Sequence, residues 1–95
     1  MFCVNVILTV KDPHDVEAVR GMMVDMVRLS REEPGCLRYE VYHSQSDVRV
    51  FMLIERWASE EAWKAHREER GFREIYAPRV LPLVDRVPHI SGLVE

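Results

Sequence analysis

The sequence predicts an α+β domain whose elements run β-α-β-β-α-β around an antiparallel sheet. Three observations carry that expectation. Runs rich in β-branched and aromatic residues fall at positions 2–10, 36–43, 48–57 and 84–94. Apolar residues recur at helical spacing after Asp12-Pro13 and again after Ser59, and turn residues such as Pro34-Gly35 and Ser44–Asp47 separate the elements. At this length the chain, residues 1–95, is expected to form a single domain.

Phe2–Val10 (FCVNVILTV) is too short for a buried helix of usual length and reads as the first strand. Phe2, Val4, Val6, Leu8 and Val10 share one face; Cys3, Asn5, Ile7 and Thr9 share the other. Both sets are largely apolar, which marks a central strand covered on both sides. Asp12 can cap the first helix, Pro13 suits its first position, and Asp15 and Glu17 place negative charge near the positive end of its dipole. Val16, Val19, Met23, Met26, Val27 and Ser30 form its inward stripe, and the helix should end near Glu32 or Glu33.

Cys36–His43 and Val48–Trp57 read as a hairpin. A simple register puts Leu37, Tyr39, Val41 and His43 with Val48, Val50, Met52 and Ile54. Arg38, Glu40 and Tyr42 then share the opposite face with Arg49, Phe51, Leu53, Glu55 and Trp57; one bulge would exchange the faces of one strand. Ser59 caps a second helix, expected to end at Gly71, followed by a short helical piece cut by Pro78 and Pro82. Val84–Val94 reads as the fourth strand. Pro88 removes a ladder donor, so this strand belongs at an edge.

This is the split order of ferredoxin-like domains. Two helices cover only one face of a four-stranded sheet, and the other face should be polar at alternate positions if water reaches it. Strands 1 and 3 lack that alternation. Leaving several Val, Met and Phe side chains in water forfeits about 25 cal/mol per Å². The expectation is therefore a homodimer packed sheet to sheet.

Composition narrows the function. The net charge is −3 with no basic run, so nucleic acid is not an expected partner. No apolar stretch is long enough to span a membrane, the N-terminus has no basic n-region, and two cysteines make no disulfide framework; a cytoplasmic protein is expected. His14, His43, His66 and His89 form no metal-binding pair, and no phosphate loop or nucleophile elbow occurs, so neither metal nor cofactor is expected. Cys3 and Cys36 sit in apolar strand contexts that favour inert thiols.

Asn5 stands out as an amide in an apolar strand; it bonds a neighbouring loop or partner chain, or aims into a cavity as a hydrogen-bond donor. His66 has a near-neutral reference pKa suited to proton transfer, set against a packing role beside Ala62 and Trp63. Trp57, Phe51 and Tyr76 are core residues that could also line an aromatic pocket, and Arg38 is expected to pair with Glu40 or Glu55.

Glu33-Pro34-Gly35-Cys36-Leu37, Tyr39, and the run from Phe51 through Glu55-Arg56-Trp57-Ala58-Ser59-Glu60-Glu61-Ala62 to His66 resemble the antibiotic biosynthesis monooxygenase (ABM) domain family. The resemblance covers nearly the whole chain and marks the family better than the reaction, since members include oxygenases and an isomerase-like branch. It implies a ferredoxin-like protomer, a dimeric α+β barrel, and a cavity between sheet and helices. It also implies oxygen chemistry without metal or flavin, because a deprotonated electron-rich phenol can itself reduce O₂. Trp57 matches a pocket-lining tryptophan of polyketide-oxidising members, but their asparagine four positions earlier is Leu53 here. In the heme-degrading branch Asn5 matches a strand asparagine. His66 stands at that branch's helical tryptophan and Tyr76 near its iron-binding histidine, so the ligand for heme is missing.

The expected function is a cofactor-independent monooxygenase of small phenolic or quinol-like molecules. Asn5 would hold an oxyanion, His66 would transfer the proton, and Trp57, Phe51 and Tyr76 would bind substrate. The alternatives are a non-catalytic dimeric module that binds a small ligand or stabilises a partner, and an isomerase of a small oxygenated metabolite.

Overall fold

The computed structural model describes residues 1–95. β1 (Phe2–Val10) leads through a 3₁₀ turn at Pro13–Asp15 into α1 (Val16–Arg31), then β2 (Cys36–His43) and β3 (Val50–Trp57). α2 (Glu60–His66), a π-helical segment (Phe72–Val80), a 3₁₀ turn (Leu81–Leu83) and β4 (Val84–Ser91) complete the chain. The sheet is antiparallel in the order β2-β3-β1-β4, which makes this the ferredoxin-like α+β arrangement.

The caps follow local chemistry. The Asp12 carboxylate accepts from the His14 N–H, and the Ser59 hydroxyl accepts from the Ala62 N–H at 3.1 Å. α2 stops at His66 rather than Gly71, because the Arg67 N–H bonds back to Lys64 and Ala65 and tightens the last turn. Strand limits also differ from expectation: β3 begins at Val50 and β4 ends at Ser91.

β1 and β3 are central, and β4 with its Pro88 is an edge. The hairpin register differs from the simple one. Cys36 faces Trp57 while Arg38 faces Arg56, so Leu37 is an extra residue in a bulge. Beyond it Tyr39, Val41 and His43 lie with Glu55, Leu53 and Phe51 on the helix-covered face. Arg38, Glu40 and Tyr42 lie with Arg56, Ile54 and Met52 on the open face.

The core fills the space between the helices and this covered face. Val4, Val6, Leu8 and Val10 of β1 pack with Phe51, Leu53 and Trp57 of β3. Val16, Val19, Met23 and Met26 of α1, with Tyr76 and Val80, close it from above. Each fully buried Val, Leu or Met contributes roughly 1.5–3 kcal/mol.

Two local features seat the second helical layer. Gly35 has φ +81°, and a β-carbon there would stand 2.6 Å from that of Ala62, so only glycine lets α2 approach the turn before β2. In the π-helical segment Pro78 has no N–H to give a regular ladder, and the Leu81 N–H reaches back five residues to the Tyr76 carbonyl. That widened turn buries Tyr76 over the sheet. No helix is long and apolar enough to cross a membrane.

Candidate active site

The covered face holds a compact set of titratable side chains. Glu33, just beyond α1, and His66, in the last turn of α2, are both nearly inaccessible. His66 Nδ1 lies 2.5 Å from Glu33 Oε1. With Nδ1–H donating to the carboxylate, Nε2 of a neutral imidazole is left as a proton acceptor. The second carboxylate oxygen of Glu33 is buried without a partner, which concentrates the carboxylate's interaction on the imidazole. The His66 ring packs 4.7 Å from Trp57 and 5.9 Å from both Tyr39 and Phe72, centroid to centroid.

Glu55 projects from β3 into the same layer and accepts a hydrogen bond from the Trp57 indole at 3.0 Å. Burial pushes its carboxyl above the usual range, against the opposing pull of Trp57, His66 and Arg86. Arg86 of β4 donates to the Tyr76 hydroxyl at 3.0 Å. Burial raises the Tyr76 phenol while Arg86 lowers it, and burial pushes the Tyr39 phenol well up. Burial also raises the Cys36 thiol, with Glu33 and Glu55 adding to the effect, which keeps it protonated and unreactive.

Tyr39, Glu55, Trp63, His66, Tyr76 and Arg86 line a cavity of about 20 Å³, with Arg67 and Phe72 at its wall. That space admits a single water. The arrangement can accept, hold and return one proton beside aromatic walls. No three His, Cys, Asp or Glu side chains converge as a potential metal site.

Of the side chains expected from sequence, His66, Trp57 and Tyr76 come together. Trp57 backs the imidazole rather than lining the cavity, and it is wholly buried. Phe51 lies elsewhere on the covered face, stacked on His43 with centroids 4.1 Å apart. Asn5 is on the open face, opposite Ile54 and His89. Its amide donates to Ser91 and its carbonyl oxygen accepts from Arg56 at 3.0 Å. Strand alternation therefore separates Asn5 from His66 by the thickness of the sheet, so the two do not form one site.

Glu33, Glu55 and Arg86 emerge only from the fold. Of the two partners expected for Arg38, Glu40 and Glu55, it pairs with Glu40 at 2.8 Å on the open face, and Glu55 lies on the covered face. The available signal was spacing: Glu55 precedes Trp57 by two on a strand and so shares its face.

The family model for antibiotic biosynthesis monooxygenases matches residues 1–78. The chain belongs to the antibiotic biosynthesis monooxygenase family. Among solved structures it is similar to an antibiotic biosynthesis monooxygenase at 22% identity, covering 98% of this chain and 99% of that one, with a TM-score of 0.86. A "Putative antibiotic biosynthesis monooxygenase" of Nitrosomonas europaea aligns over 100% of both chains at 24% identity and a TM-score of 0.90. These likenesses establish a shared fold. By sequence the chain is 31% identical over 52 residues to "Putative monooxygenase YcnE" of Bacillus subtilis (strain 168). That match spans about half of each protein, 55% of this chain and 55% of the relative.

Proposed function

We propose that this ABM-family protein is a cofactor-independent monooxygenase of small phenolic or quinol-like compounds, acting as a homodimer in the cytoplasm. The observation that carries the reading is the buried Glu33–His66 pair at the wall of an aromatic cavity. His66 Nε2 takes the phenolic proton, and Glu33 holds the imidazole and steadies its positive charge. The phenolate passes an electron to O₂, and the radical pair combines at a ring carbon. The peroxide anion takes the proton back from His66, and loss of water leaves a carbonyl, so one oxygen atom enters product and one enters water. Arg86 and the Tyr76 hydroxyl supply the donors against which the anion lies.

The dimer is supported by the open face, where Ile7 is 41% exposed, Met52 37% and Val87 48%. The free thiols Cys3 and Cys36 fit a reducing compartment. The narrowness of the cavity bears on a second reading, a non-catalytic dimeric module. A phenol enters only if α2 and the π-helical segment part. Oxygen-electrode assays with a quinol panel separate the two. Substrate-dependent O₂ uptake that falls about 10²–10⁴-fold in His66→Ala supports the oxygenase. No uptake with any quinol leaves the binding module.

A further inference from the structure

We infer that the cleft between α1 and the β2–β3 hairpin is a second ligand site, one that takes a small organic carboxylate with an aryl or alkyl body. The cleft encloses about 270 Å³, near the lower end of the range for small-molecule sites. It is separate from the His66 cavity, sharing no lining residue with it. Its position on the helix side of the sheet leaves it clear of the open face.

Its floor is apolar: Met23 and Val27 from α1 meet Val41 and Phe51 from the hairpin. Its rim carries only positive or neutral donor groups. Arg20, Arg28 and Arg31 line it with His43, and no carboxylate does, in a chain whose net charge is −3. Acidic residues of α1 such as Glu17 and Asp25 fall outside the cleft. Arg20 and Arg28 belong to none of the chain's ion pairs.

Two of the donors are held in place. The Arg31 Nε–H donates to the Tyr39 carbonyl at 3.1 Å, which fixes that guanidinium at the wall. His43 Nε2–H donates to the Val48 carbonyl at 2.6 Å while its ring stacks on Phe51 at an interplanar angle of 8°. An anchored guanidinium, two unpaired ones and an apolar floor together match a carboxylate head on a hydrocarbon body. A bare phosphate would leave the floor unused, and a neutral hydrocarbon would leave the arginines unused.

The test is an amide-resolved NMR titration of the full chain with sodium 1-naphthoate, its neutral carboxamide and inorganic phosphate. Saturable shifts centred on Val27, Val41, His43 and Phe51, with a dissociation constant below about 1 mM, are expected for a ligand of this size. Arg20→Gln with Arg28→Gln, both on the exposed side of α1, should keep the fold and weaken naphthoate binding at least about tenfold. The carboxamide should be weaker by a similar factor. Equal binding of naphthoate and carboxamide, phosphate binding as tight as naphthoate, shifts centred on His66 and Tyr76, or no saturation by about 10 mM overturns the site.

Discussion

The two faces of the sheet distribute polarity in opposite ways. Beneath the helices, Glu55, Glu33 and His66 are buried, and each is bonded to a partner in the same layer. On the open face Ile7, Met52 and Val87 are apolar and exposed, while Asn5, Arg56 and Ser91 bond to one another. A protomer built only for its own stability would place these groups the other way round, since an isolated buried charge costs several kcal/mol and exposed hydrocarbon forgoes stabilisation. This inverted distribution is what the proposed function would require, with chemistry on the covered side and association on the open one.

Trp57→Ala gives the largest effect, because it removes a wholly buried indole and deprives Glu55 of its donor. Unfolding in urea should show a loss of roughly 3–5 kcal/mol; a loss under about 1 kcal/mol would mean the covered face is not the tightly packed one. On the open face, Ile7→Lys tests association. If that face meets a second copy, sedimentation velocity should show the variant as monomer with its circular dichroism intact, since a buried lysine costs several kcal/mol. If the face is wet, the substitution changes stability by no more than about 0.5 kcal/mol and leaves the sedimentation coefficient as it was.

The pH dependence is subtler. The folded-state pKa of Glu55 is raised above its reference value of 4.5 by burial. Between the unfolded and folded pKa values the native state holds the extra proton, so the contribution of Glu55 to stability is full below about pH 4.5 and is lost as pH rises through the folded value. Glu55→Gln, which keeps the shape and cannot ionise, should flatten that fall in melting temperature against pH. An unchanged slope would show that Glu55 is ionised as freely in the fold as outside it.

The order of elements was legible because caps, turn residues and periodicity agree from Phe2 to Ser91. The hairpin faces were not. The bulge at Leu37 carries no glycine or proline to announce it, and a one-residue offset moves Tyr39, Val41 and His43 across the sheet. His66, Trp57 and Tyr76 were recognisable because aromatic and imidazole side chains near a strand–helix junction invite a site. Glu33 and Arg86 were not, since their meaning depends on contacts 33 and 10 residues away along the chain. Asn5 was conspicuous as an amide among apolar neighbours; it bonds Ser91 and Arg56 and with them lines a cleft on the open face, apart from the His66 cavity.

The division between a reactive face and an associating face is tested most directly by comparing O₂ uptake of His66→Ala and Asn5→Ala on one quinol under identical conditions. His66→Ala should lose most of the rate, by about 10²-fold or more, while Asn5→Ala keeps it. Loss of uptake in Asn5→Ala with the dimer intact, and wild-type uptake in His66→Ala, would place the chemistry on the other side of the sheet.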